Sequence, residues 1–179
     1  EFVTKMVDTG EAKIHMSTRD TLIRAFMAGA ILALAAVFAV SASVMSGSAL
    51  IGALLFPVGV CMLYLLGFDL LTGVFMLTPL ALLDKRPGVT VRGILRNWGL
   101  VFVGNFLGAL TVAGMMAFIF TYGFSVPPGE IGQKIGHIGE ARTLGYAEYG
   151  LMGWATIFLR GVLCNWMVST GVVGAMIST

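Results

Sequence analysis

The sequence predicts an all-α membrane protein, and three observations predict it. Of 179 residues, 58% are hydrophobic and 11% are charged, about half the charged share of an ordinary soluble domain. The charges are unevenly placed, with none from Ala25 to Phe68 or from Asn97 to Gly129. Each of these stretches exceeds the roughly 20 apolar residues that cross a bilayer as a helix. The chain opens at Glu1 and stops inside an apolar stretch after Gly161, so a piece of a longer protein is expected. The first residues, which include Asp8, Glu11, Lys13 and Asp20, lack the basic start, apolar run and cleavage site of a signal peptide.

Residues 1–20 mix polar and apolar side chains and read as a short cytoplasmic or interfacial segment, helical with weak periodicity. The membrane-spanning part is expected over 21–179. Its first span covers about 21–44 and is ended by the small polar stretch Ser41–Ser48. A second apolar run covers 49–83. As one helix it would be about 52 Å long at 1.5 Å per residue, well beyond the ~30 Å hydrocarbon core. The run must tilt, bend or break, and Gly67-Phe-Asp-Leu-Leu-Thr-Gly73 marks a break at 67–73. Non-helical backbone at that depth is tolerated only where it is buried in protein or lines a water-filled cavity.

The stretch Asp84–Arg96 carries four basic residues and one acid, which makes it cytoplasmic by the positive-inside rule. Lys5, Lys13, Arg19 and Arg24 lie two crossings earlier and belong on the same side. A third span covers about 97–122. The loop 123–145 balances Lys134 and Arg142 against Glu130 and Glu140, as an outside loop does. A fourth span covers about 146–173. The N-terminus is therefore expected in the cytoplasm and the protein in the cell (inner or plasma) membrane.

Several residues stand out. Gly104 and Gly108 are four apart on one helix face, a spacing that lets helix backbones approach closely, and the Asn105 amide beside them needs partners inside the membrane. Asp69 is the only acid between Arg24 and Asp84. An ionised carboxylate in mid-span costs about 2.5–3.5 kcal/mol on the insertion scale, so something must offset it. Capping the half-helix after the break, through its free N–H groups, is favoured over direct contact with a substrate. The Thr72 hydroxyl fits either a cap or a pore-facing donor. Arg160, five residues before Asn165, is read as snorkelling or pairing at a subunit interface, with anion steering as the less favoured role.

Other chemistries find no support. Cys61 and Cys164 sit in apolar segments without CxxC or Cys/His spacing, and His15 and His137 lack partners at metal or triad spacing. No metal, no cofactor and no catalytic residue is expected. The glycine-rich stretch Gly132–Gly139 lacks a GK[ST] ending and a strand-to-helix setting. No basic patch with interleaved aromatics points to nucleic acid.

Three blocks together resemble the formate/nitrite transporter family: Gly67-Phe-Asp-Leu-Leu-Thr72, Asn97-Trp with Gly104-Asn105 and Gly108-Ala109, and Cys164-Asn-Trp-Met-Val168. Gly10, Lys13 and Ala28-Gly29 are similar to the family's lead-in to its first span. The resemblance implies an aquaporin-like inverted-repeat helical bundle of six spans, broken in the second and fifth, assembled as a homopentamer with a pore in each protomer. This chain would hold about four of those spans, ending before the fifth and sixth. Broken helices near the midplane commonly carry the substrate site in such repeats. Carried over by motif, Leu70, Leu71, Thr72, Asn165 and Val168 become pore residues, with Phe56 and Val60 as apolar constrictions on the approach. Gly67, Asp69 and Gly73 then shape the break, and Gly104, Asn105 and Gly108 pack the helices.

The function this implies is passage of small monovalent anions, formate or nitrite foremost, with proton coupling through a central histidine. That histidine belongs to the family's fifth span, and its Gly-Phe-Glu-His type motif does not occur in this sequence. Three rivals are weighed. An aquaporin-like channel for neutral solutes lacks its Asn-Pro-Ala motif here. A non-transporting scaffold subunit would use the glycine faces for packing alone. A membrane enzyme lacks paired carboxylates or a nucleophile and base at usable spacing.

Overall fold

The structure is a computed structural model that describes residues 2–177. Its helices run in the order α1 (Phe2–His15), α2 (Thr18–Ser46), α3 (Ala49–Leu66), α4 (Leu71–Leu83), α5 (Val91–Phe120), α6 (Glu130–Arg142), a 3-10 helix (Leu144–Tyr149) and α7 (Gly150–Ile177). Among the described residues there is no strand. α2, α3, α5 and the Glu130–Ile177 run containing α7 are long and apolar enough to cross a membrane. The molecule is an all-α membrane protein.

Local sequence explains the boundaries. Ser17 caps α2: its Oγ accepts from Asp20 N at 3.1 Å and donates to Asp20 Oδ2 at 2.8 Å, a side-chain N-cap that satisfies one free N–H of the first turn. Thr90 caps α5 by accepting from Gly93 N at 3.1 Å, so helix begins at Val91, inside the basic stretch. α3 ends at Gly67, whose φ of 67° lies in the left-handed region. Gly67 N donates to Tyr64 O and Phe68 N to Leu63 O, both at 3.1 Å, the pair of bonds that closes a Schellman motif. A side chain at Gly67 is strained by about 1–2 kcal/mol. Gly67→Ala should therefore lower the unfolding free energy by about that amount, read from thermal unfolding in detergent.

The expected outer loop 123–145 is instead largely helical, as α6. Glycine costs about 1 kcal/mol per helix position relative to alanine, and Gly132, Gly136 and Gly139 hid the helix from a reading by propensity. Pro127 and Pro128 just before Gly129 and Glu130 were its available start signal.

α2 packs chiefly on α5 and α3, and α1 on α4. The α2–α5 contact is a glycine interface from both sides. A methyl at Gly108 would overlap the Phe26 carbonyl, and one at Gly29 would overlap the Asn105 carbonyl. Gly108→Ala should cost about 1–3 kcal/mol as overpacking. Gly114→Ala on the same helix, where a methyl meets open space, should be neutral or slightly stabilising.

α1 does not simply rest on a surface. Met6, Val7 and Ile14 are buried, Val7 and Ile14 against Ala81, Val89 and Ile94. Met6 meets Leu77 of α4 and Met176 of α7. α7 buries only Gly153 and Met176 among its described residues, while Phe158, Trp166 and Met167 lie exposed. So large an apolar surface suits lipid or further protein rather than water.

Candidate functional site

The break between α3 and α4 organises the site. Leu70 is extended, with φ −101° and ψ 138°, and occupies the N-cap position of α4 without a side-chain cap. Its carbonyl accepts from Gly73 N at 3.0 Å and Val74 N at 3.2 Å. The Leu71 N–H, which no helical carbonyl reaches, donates to Asn105 Oδ1 at 3.0 Å. Asn105 Nδ2 in turn donates to Asp69 O and to Ala25 O, both at 2.8 Å. One amide from α5 thus ties the break to α2.

This corrects the expected role of Asp69. Because Leu70 holds the N-cap, Asp69 sits one residue too early to cap α4. Its side chain, on a residue only 2% exposed, pairs instead with the Lys13 ammonium of α1. Lys13 Nζ also donates to Gly67 O at 3.4 Å, and Arg24 Nη1 reaches the same carbonyl at 3.3 Å. Two cations at the C-terminal end of α3 complement its dipole. Asn97 Nδ2 fixes the backbone of Lys13 by donating to its carbonyl at 3.0 Å.

Beside the break lies a cavity of about 250 Å³, walled by Val60 and Tyr64 of α3, Leu70, Thr72 and Gly73 around the start of α4, and Val168 and Val172 of α7. Four pore candidates, Val60, Leu70, Thr72 and Val168, come together there. Thr72 Oγ and Asn165 Oδ1 are buried without a hydrogen-bond partner among the described residues. Asn165 lies three residues before Val168, one turn away on the same face of α7, and Phe56 relates likewise to Val60 on α3. Leu71 turns elsewhere: it packs against Ala25, Val74 and Val101, because one helical step rotates it away from Thr72. Gly73 lines the cavity, and a methyl on it would meet nothing within 4 Å.

The electrostatic setting is cationic. An open groove of about 770 Å³ along α1 is lined by Lys5, Lys13 and Arg24 with Asp8, and it shares Lys5, Thr9 and Lys13 with the cavity wall. At the end of α4, Arg86 pairs with Asp8 at 2.7 Å, Asp84 at 2.8 Å and Glu11 at 3.6 Å. The hydrogen bond to Asp84, then the charges of Asp8, Asp84 and Glu11, raise its pKa above the ordinary arginine value. While those carboxylates are ionised, the Arg86 contribution is thus present below the ordinary arginine value and is lost as pH rises through the raised one. His15 Nε2 lies 3.2 Å from Pro87 O, so α1 is clasped to the 84–88 turn. Arg160 bonds the Tyr146 hydroxyl and lies 5.5 Å from that ring centre. Its partner is therefore local to the start of α7.

Two residues quoted in the family-like blocks have contacts that sequence did not reveal. Lys13 is 56 residues from Asp69, and only the demand of a buried acid for a cation hinted at the pair. Trp98 Nε1 donates to Thr78 Oγ at 3.0 Å and to Val74 O at 3.3 Å, and its ring meets Phe75 edge-on at 4.7 Å. Those contacts lock the half-helix α4 onto α5.

Comparison with known proteins gives a consistent result. The sequence signature described as formate/nitrite transporter matches residues 1–179. A protein named probable formate transporter from Methanothermobacter thermautotrophicus is 35% identical over 130 residues, 69% of this chain and 46% of its own. The formate channel FocA of Haemophilus influenzae is 33% identical over 154 residues, 81% of this chain and 49% of its own. The uncharacterized transporter YrhG of Bacillus subtilis is 29% identical over 181 residues, 96% of this chain and 62% of its own. The chain therefore spans about half the length of these curated relatives.

Proposed function

The chain belongs to the formate/nitrite transporter family, and we propose that the protein containing it conducts formate, nitrite or a similar small monovalent anion past the α3–α4 break. The observation that carries this reading is the buried hydroxyl of Thr72, a residue in the wall of the 250 Å³ cavity, left without a partner among the described residues. A hydroxyl at the positive end of α4 suits an anion, since helix N-termini favour negative charge.

In this mechanism the anion gathers in the Lys5, Lys13 and Arg24 groove and sheds water between Val60, Leu70 and Val168. It is then held by Thr72, and one turn along α7 by Asn165. Apolar walls charge a large desolvation cost for a bare ion. Proton transfer from a central histidine, of the kind the family carries in its fifth span, lets the anion cross as the neutral acid. Formate channel and formate transporter among the relatives' names favour formate. The reading includes a homopentamer in the cell membrane with a cytoplasmic N-terminus. The clasp of α1 on the basic 84–96 stretch, through Arg86 and the Val7–Ile94 cluster, supports one common side for both.

The test is anion flux into proteoliposomes holding the full-length protein, with formate, nitrite, bicarbonate and chloride compared. The expected result is selective flux of formate or nitrite that Thr72→Val reduces about 10-fold or more, because a hydrogen bond to a charged group contributes about 1.5–3 kcal/mol. Assembled protein that passes none of the four anions would overturn the proposal.

A further inference from the structure

We infer that Asn105 is a positioning residue for the anion pathway, fixing where Leu70 and Thr72 stand, and not merely a packing residue of the α2–α5 interface. The inference rests on the channel reading above. The neighbouring Gly104 and Gly108 do pack, since methyls there would overlap Ala25 and Phe26 of α2. Asn105 differs from them because its side chain, while bonding Ala25 O of α2, also reaches the break through Asp69 O and Leu71 N.

Three bonds specify the position. Asn105 Nδ2 uses both hydrogens, on Ala25 O and Asp69 O, and Oδ1 accepts from Leu71 N. The carbonyl at 69 and the N–H at 71 flank Leu70 on either side, so holding both fixes the peptide units that carry the Leu70 side chain. Thr72 follows in the same first turn and lines the cavity, its hydroxyl buried without a partner among the described residues. The amide orientation is dictated by its neighbours: two carbonyls require N–H donors and one N–H requires an oxygen. No other natural side chain of this length supplies two donors and an acceptor in that arrangement. Aspartate has the same shape yet, ionised, offers only acceptors, which would face the Ala25 and Asp69 carbonyls without hydrogen.

The third contact, to Ala25 O, couples the break to α2. Around that contact Gly29 lies against the Asn105 backbone, and Ala25 and Val101 are fully buried beside Val74. The break is thus referenced to a fully buried part of the helix packing, while Leu70 and Thr72 line the cavity. A pathway whose narrow point must discriminate between anions of similar charge needs such a fixed reference, because small displacements of the wall alter which sizes pass.

The experiment compares full-length wild type, Asn105→Asp, Asn105→Leu and Gly108→Ala in proteoliposomes, each normalised to correctly assembled protein by gel filtration. Formate and acetate fluxes are measured separately. Asn105→Asp should lower formate flux about 10-fold per assembled protein and change the formate-to-acetate ratio at least 3-fold, a readout that loose packing does not move. Asn105→Leu should shift the ratio in the same sense, and it serves if the aspartate variant fails to assemble. Gly108→Ala should reduce assembly while leaving the ratio at the wild-type value. If both Asn105 variants keep the wild-type ratio, the positioning role is overturned although the channel stands. If wild type itself carries neither of these nor nitrite, bicarbonate or chloride, the channel reading fails instead.

Discussion

On the proposed channel reading, Gly73→Val should narrow the cavity and lower formate flux about 10-fold or more, with thermal stability unchanged or slightly raised. Gly73 lies in the first turn of α4 without a positive φ, so its backbone suits any residue. A Cβ there meets nothing within 4 Å, and Gly73 lines the cavity of about 250 Å³. Valine is stiff at χ1 and cannot swing its methyls out of the way, and it ranks above glycine in helix propensity. A tenfold loss corresponds to only about 1.4 kcal/mol of added barrier. Gly73→Ala should give a smaller loss in the same flux assay, so that the effect grades with side-chain size. Wild-type flux in Gly73→Val at full assembly would place the pathway elsewhere.

The largest effect on stability is expected at Lys13. Removing one member of a buried ion pair costs about 3–5 kcal/mol, because the other charge is left uncompensated. Asp69 is 2% exposed, and α1 supplies its cation. Lys13→Met should therefore lower the unfolding free energy by about that amount in detergent. Asp69→Asn should cost less, since the Lys13 side chain is 14% exposed and its ammonium can extend towards water. Lys13→Met combined with Asp69→Asn should recover most of the single Lys13→Met loss, the non-additivity that marks a direct pair. Equal and additive effects of the two single changes would show that the pair is not coupled.

Much of the fold was legible because the bilayer restricts the choices. A 35-residue apolar run from 49 to 83 cannot be a single straight span, and Gly67 marks its break because only glycine adopts that φ at no steric cost. The Gly104 and Gly108 pattern likewise pointed to close helix packing, which Phe26 and Ala25 supply. What stayed hidden was tertiary. Asp69 demanded compensation, but periodicity cannot show that α1 folds back to deliver Lys13. Asn105 demanded partners, but nothing local names Asp69 O and Leu71 N. Leu71 and Thr72 are adjacent in the motif, and the turn of α4 sends one to the α2–α5 core and the other to the cavity. α6 was missed since its three glycines mask helix propensity, and α7 read easily since a long apolar run needs no partners to be recognised.

The most direct test of the pathway is thiol modification at Thr72. In full-length protein with Cys61→Ala and Cys164→Ala, the two exposed free thiols of this region are gone, any cysteines beyond it being replaced likewise, and Thr72→Cys places a single one at the cavity wall. A small anionic thiosulfonate reagent should modify it in proteoliposomes, stop formate flux, and react several-fold more slowly when formate is present. Modification that leaves flux intact, or a rate that formate does not change, would contradict an anion path along the α3–α4 break.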